Sequence, residues 1–219
     1  MKAELIDHMG TDLSVVNAAK VSFDRIDGYW IDEEEAKRLN VRSHPGLIRY
    51  LAKHDHWTPF AHTAISLRMQ APVPIRTQCF KHKQGLVENE ESRRYISSRP
   101  VLFVPDAFRN APTNGAKQGS SGVHHRSDYW RSVYEANCQL QITLYERMIE
   151  DGVCPEQARF VLPQGCEVNW VWTGNLYAFA NFFNKRTDPH SQKEVRDLAE
   201  QVGSIVQPLF PVSWEALTK

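Results

Sequence analysis

Hydrophobic and polar positions change period several times along this chain, and the changes divide it into elements. Ala3 to His8 reads as a short strand, and Thr11 to Ser22 as a helix with Val15, Ala18, Ala19 and Ser22 on one face. Thr11 or Asp12 can cap that helix. Asp24 to Trp30 is turn-like. Asp32 to Leu39 carries acids in its first turn and basic residues later, the order the helix dipole favours. Another helix starts at Ser43-His44-Pro45, where the proline's missing N–H costs nothing, and turns Leu47, Ile48 and Leu51 to one side. Thr63 to Met69 alternates as a strand, with Ala64, Ser66 and Arg68 on one face and Ile65, Leu67 and Met69 on the other. Pro74 opens a predicted helix through Ile75 to Lys83, stopped by Gly85.

The second half is sparser at first. Ile96 to Pro105 reads as extended, and Asn110 to Ser127, rich in Gly, Ser, Asn and Gln, as a mobile loop. Asp128 to Asp151 is the longest helical stretch, with Tyr134, Asn137/Cys138, Ile142, Tyr145 and Ile149 on the helical period. Glu167 to Thr173 alternates, with Val168, Trp170 and Trp172 on one side, and Gly174 to Lys185 is a helix. Asp188 to Lys219 is helical with a break at Pro208 and Pro211.

Composition narrows the class. With 219 residues, 42% hydrophobic and 24% charged, the chain can bury one substantial core or two small ones. Its 26 basic and 26 acidic residues balance, which argues against a general nucleic-acid binder. The start, MKAELIDHMG, has no apolar signal region, and no apolar run reaches bilayer length, so a cytoplasmic protein is expected. Cys79, Cys138, Cys154 and Cys166 are widely spaced, which fits reduced thiols better than a disulfide frame or a zinc site.

Against that neutral background, Arg76 to Tyr95 concentrates charge: Arg76, Lys81, Lys83, Arg93 and Arg94, with Arg99 just beyond. Gln78, Glu88, Asn89, Glu90, Glu91 and Ser92 are threaded among them. Cations attract phosphate, and amides and carboxylates give orientation, so the stretch suits a phosphorylated ligand with a polar ring; a solvated charged face is the alternative. On a helix, Gln78, Lys81 and His82 would face one site, while Cys79 and Phe80 pack inward. His54, His56 and His62 lack a helical i, i+4 pair and are read as structural, with no metal expected. Asn175 falls near a helix N-terminus, where free N–H groups favour a phosphate or carbonyl ligand.

Lys81-His82-Lys83, followed after eight residues by Ser92-x-Arg94-Tyr95, resembles the signature of the flavin-dependent thymidylate synthases. Two further segments are similar to that family: His56-x-Thr58-Pro59-Phe60-x-His62, and Ala158-Arg159, Leu162-Pro163, Asn175, Asn181 and Arg186 in order. Asp188-x-His190-x-Gln192-x-Glu194 resembles the family's continuation, and the likeness runs from about Ala3 to Trp214. Lys81 and Lys83 stand where arginines are usual, Ala61 where an acid is common and Tyr177 where an arginine is common.

The resemblance implies a single domain over residues 1–219 with an α/β fold of the α+β kind, a central, mostly antiparallel sheet flanked by helices. It implies a homotetramer with active sites at subunit junctions. The implied reaction is reductive methylation of dUMP to dTMP, with carbon from 5,10-methylenetetrahydrofolate and electrons from NADPH through FAD. Arg186 is then the catalytic stabiliser of charge on the pyrimidine. Cofactor binding falls to His56, Thr58, Lys81, His82, Lys83, Glu90, Asn175, Tyr177, Asn181 and His190; a helix-capping role for His190 stays open. Substrate binding falls to Gln78, Lys81, Glu90, Glu91, Ser92, Arg93, Arg94, Arg159 and Arg186. Ser92 has no base placed beside it and is given a binding role. Cys154, which precedes Pro155, does not match the Pro-Cys nucleophile of the flavin-free synthases and is read as structural. Transfer of a hydroxymethyl or other one-carbon group, and a flavin- or nucleotide-binding module without turnover, remain alternatives.

Overall fold

The two segments with the clearest alternation lie side by side at the centre. In this computed structural model, which describes residues 1–113 and 119–218, four antiparallel strands run in the order β1 (Lys2–Met9), β2 (Ala64–Pro72), β6 (Glu167–Gly174) and β3 (Leu86–Glu90). A small hairpin, β4 (Arg109–Asn110) and β5 (Ser121–Val123), stands apart. The expected α+β architecture is present, and its core-facing residues match the alternation: Ile65, Leu67, Met69, Val168, Trp170 and Trp172 are all buried.

Helices pack around the sheet and against one another. They are α1 (Asp12–Lys20), α2 (Glu33–Leu39), α3 (His44–Lys53), α4 (Thr58–Ala61), α5 (Val73–Cys79), α6 (Ser127–Glu150), α7 (Pro155–Ala158), α8 (Leu176–Arg186), α9 (Lys193–Val206) and α10 (Pro211–Thr218). Leu176, Phe179 and Phe182 of α8 and Val195, Leu198 and Val202 of α9 join the strand residues in one apolar core. Ser43 caps α3 by accepting from Gly46 N at 3.1 Å, and Pro45 sits in its first turn as expected.

Several expectations change. The helix predicted to reach Lys83 ends at Cys79, and Phe80 closes it. The chain must turn back here to lay Leu86 opposite Gly174, and Gly85 makes the turn at φ 73°. A Cβ on Gly85 would lie 2.7 Å from Asn175 Nδ2, so the turn is pressed against the start of α8. Leu86–Glu90 is a strand that no alternation announced: Leu86 is buried, but Val87, opposite Thr173 on the outer face of the sheet, is exposed. Ile96 to Pro105, expected to be extended, holds no helix and joins the sheet region through the bridge from Leu102 to Cys166. The region read as a mobile loop contains the β4–β5 hairpin, and its residues 114–118 lie outside the described residues. Cys79, Cys138 and Cys166 are buried, whereas Cys154, read as structural, is exposed and stands at the N-cap position of α7.

Candidate functional site

Helix α8 carries the site. Asn175 caps it, its Oδ1 accepting from Ala178 N at 2.9 Å, so the capping role claims the oxygen that a ligand would otherwise meet. Leu176, Phe179 and Phe182 hold one stripe of the helix in the core. Tyr177, Asn181 and Asn184 follow the helical spacing on another stripe and line a cleft of about 650 Å³. Asn184, Lys185 and Arg186, at the helix end, line a second cleft of about 920 Å³. Lys185 and Arg186 in the last turn also suit the helix dipole.

In the larger cleft, Arg186 is held from two sides. Its Nε donates to His82 Nε2 at 2.8 Å, its Nη2 to the Gln78 carbonyl at 3.0 Å, and its Nη1 to Gln78 Oε1 at 3.4 Å. Because Nε2 of His82 accepts, the ring proton sits on Nδ1. Burial pushes the His82 pKa down to about 4, with the charges of Arg186 and Lys185 adding to the effect, so the ring is neutral at pH 7. The imidazole also stands edge-on to Phe182, with centroids 5.1 Å apart. Gln78 and His82 therefore do meet, as expected, although through a turn after the helix and without Lys81.

Gln78 leads on to residues given no role in the sequence reading. Its Nε2 donates to Gln192 Oε1 at 2.7 Å, and Gln192 Nε2 donates to Glu194 Oε2 at 2.9 Å. Arg109 grips the same carboxylate with two hydrogen bonds, at 2.8 and 2.9 Å. Burial raises the Glu194 pKa, but the bonds from Arg109 and Gln192 outweigh it and hold the carboxyl below its usual range. His190 is exposed on the wall of this cleft, its Nδ1 3.0 Å from Asp188 Oδ1; Gln192, not His190, occupies the cap position of α9.

The smaller cleft gathers His56, Trp57, Tyr177 and Asn181. The Trp57 and Tyr177 rings lie 6.1 Å apart at 41°. Thr58 is exposed at the start of α4, next to Trp57 but not on the cleft wall. Asn184, which lines both clefts, was missed; its distance of three residues from Asn181 was the available signal.

A third group stands apart. Glu90 lies 2.8 Å from Arg76, and burial raises its pKa against the opposing pull of that arginine, with Glu91 adding to the rise. Glu91 accepts from Asn169 Nδ2 at 3.0 Å. Ser92 Oγ accepts from Arg94 N at 3.3 Å, and Arg93 donates to the Ser98 carbonyl. Arg94 is ion-paired with Glu156, and Arg159 Nε donates to the Glu156 carbonyl at 3.3 Å. None of Glu90 to Arg94, nor Arg159, lines either cleft. Lys83 is ion-paired with Glu88 and lies over the Phe80 ring; Lys81 is exposed and has no partner among the described residues. Neither lysine reaches the two clefts.

An antiparallel α+β fold with a helix-end arginine in an open cleft defines a broad class, and comparison with known proteins narrows it. The family model described as thymidylate synthase complementing protein matches residues 4–212. The chain is 31% identical over 216 residues to the flavin-dependent thymidylate synthase of Thermosipho africanus, covering 98% of this chain and 90% of that one. With the flavin-dependent thymidylate synthase of Kosmotoga olearia it shares 32% identity over 215 residues, 97% and 87% of the two chains. A crystal structure of the UMP/dUMP methylase PolB from Streptomyces cacaoi bound with 5-Br dUMP superposes with a TM-score of 0.85 at 29% identity, covering 99% of this chain and 94% of that one. This chain belongs to the flavin-dependent thymidylate synthase family.

Proposed function

We propose that this protein makes dTMP from dUMP by reductive methylation, with FAD as cofactor, 5,10-methylenetetrahydrofolate as carbon donor and NADPH as electron source. One observation carries the reading: Arg186 stands on the wall of the larger cleft with three of its donors fixed by His82 and Gln78. A guanidinium has about five N–H donors, so about two remain for a ligand. Methylation at C5 of uracil requires that carbon to become nucleophilic, which places negative charge toward N3 and O4. Arginine does not give up its proton, so Arg186 acts by stabilising that charge. Neutral His82 keeps its lone pair on the arginine and adds no competing charge.

The smaller cleft suits a flavin ring. Its volume is in the range of small-molecule sites, and it offers Trp57 and Tyr177 for stacking and His56 and Asn181 for hydrogen bonds. Thr58, next to Trp57, stands at its margin and His190 on the wall of the larger cleft, and Lys81 and Lys83 are the cations for the cofactor phosphates. Bound FAD supplies the electron pair that reduces the transferred carbon to a methyl group.

The Ser92–Arg94 segment and Arg159 serve the nucleotide phosphate in a homotetramer, where one chain completes the cleft of another. The surface supports assembly. Tyr95 and Phe160, next to Arg94 and Arg159, are 80% and 79% exposed, and α6 exposes Leu140 and Leu144 one helical turn apart. Among the described residues no helix is long and apolar enough to cross a membrane.

Recombinant protein should be yellow, its flavin spectrum should change on adding dUMP, and dUMP labelled with tritium at C5 should release tritium as dTMP forms. Mass spectrometry of the product separates a methyl from a hydroxymethyl group, and UMP should be tried beside dUMP. Protein that stays colourless with FAD and dUMP sinks the reading.

A further inference from the structure

The larger cleft is walled by a hydrogen-bonded series that begins in the β4–β5 hairpin and ends at Arg186. We propose that Glu194 is a positioning residue for Arg186, acting through Gln192 and Gln78. This rests on the reading of Arg186 as the group that serves the pyrimidine.

The argument is one of polarity. A carboxylate only accepts hydrogen bonds, and a guanidinium only donates them. Gln192 must turn its Nε2 toward Glu194, 2.9 Å away, so its Oε1 faces Gln78. Gln78 must then turn its Nε2 toward Gln192, 2.7 Å away, so its Oε1 faces Arg186 Nη1 at 3.4 Å. Every donor in the series points toward Glu194. With an acceptor at one end and a donor at the other, one arrangement of the two amides satisfies all links, and each flip would set donor against donor.

Glu194 is suited to anchor the series. It is 8% exposed, it lies in the first turn of α9 where the helix dipole favours an anion, and Arg109 holds both its oxygens at 2.8 and 2.9 Å. The carboxylate therefore cannot rotate without breaking a bidentate pair. Gln192 is exposed and has no such support of its own, so its orientation is borrowed from Glu194. Arg186 keeps its bonds to His82 and to the Gln78 carbonyl in either case, so loss of the series misaligns it without releasing it.

The test is a double-mutant cycle on the flavin-loaded protein with Q192A and E194Q. Either change alone should lower kcat about tenfold, the effect of one charge-assisted hydrogen bond, with KM for dUMP and flavin content within about twofold of the parent. The double variant should be no worse than about twofold below either single one, because both cut the same series. Unchanged kcat in Q192A, or losses that multiply in the double variant, overturn the proposal. Should E194Q fail to fold, Q192A, which removes only an exposed side chain, decides alone. A parent protein that releases no tritium from dUMP defeats the functional reading; the positioning role is then judged by crystal structures. There, displacement of the Gln78 amide and the Arg186 guanidinium in Q192A supports it, and an Arg186 Nη1 still bonded to Gln78 Oε1 overturns it.

Discussion

The Arg186 wall and the Ser92–Arg94 segment both concentrate arginine, yet they hold it differently. Arg186 is partly buried, and its partners are neutral: an imidazole and an amide. Its charge stays uncompensated and available to a ligand. Arg94 is exposed and already paired with Glu156, whose backbone also engages Arg159. A neutral partner orients a guanidinium while leaving its field intact; an acidic partner on the surface contributes little and is exchanged when a phosphate or another chain offers a better contact. The first arrangement suits charge stabilisation within one chain, and the second suits a binding group waiting for a partner.

Removing the guanidinium should give the largest effect. R186A should lower kcat by about a hundred- to a thousand-fold, the range for losing a preorganised charge-stabilising donor. R186K should recover part of the loss, since charge survives and the fork does not. Steady-state methylation assays check both, and an R186A enzyme with near-parental kcat would remove the basis of the comparison.

On the other side, R94A and R159A should each raise KM for dUMP about tenfold while kcat changes less, the pattern of lost uniform binding. Mixing R186A with R159A protein after gentle dissociation should restore parental turnover at dUMP well below the raised KM if the two groups meet across subunits. No recovery, with mixed oligomers demonstrated by mass, would place both groups in the service of one chain.

A smaller effect divides the lysines. Lys83 is tied to Glu88, and Lys81 has no partner among the described residues, so K81R should tighten FAD binding by up to about tenfold and K83R should matter less. Fluorescence titration with FAD gives the ranking, and equal or weaker binding in K81R counts against it.

The smallest effect is on stability. The pKa of His82 falls on folding, so the unfolded chain takes up its proton first. The contribution of His82 is therefore complete above the unfolded pKa of about 6.5. It is lost as pH falls toward the folded value of about 4. Urea midpoints should drop over that window less steeply in H82Q than in the parent; parallel curves would remove His82 from the account.

Where side chains face one solvent and one core, the sequence was easy to read. Ile65, Leu67 and Met69 alternate because one face of β2 is buried, and Val168, Trp170 and Trp172 repeat the pattern on β6. β3 escaped because an edge strand of Leu-Val-Glu-Asn-Glu buries only its first residue. The helix end at Cys79 escaped because the demand for a turn comes from pairing with a strand eighty residues away. Arg186, Gln78 and His82, named from their places in a recognisable pattern, meet in the fold, whereas Arg109 and Glu194, 85 residues apart, leave no local trace of their pairing. Lys81, Lys83 and the segment from Glu90 to Arg94 were grouped through the family pattern; the two lysines lie off the cleft walls just before Gly85, and the turn there sends Glu90 to Arg94 along β3 and past its end.

Cys154 gives the molecule a convenient handle. The other three thiols are buried, Cys79 with its pKa raised to about 12 and Cys166 to about 11, and burial raises that of Cys138 as well. A maleimide dye at neutral pH will therefore attach once per chain, two residues before the glutamate that holds Arg94. A fluorophore there can follow nucleotide arrival and subunit exchange by colour or energy transfer, with every residue of both clefts left as it is.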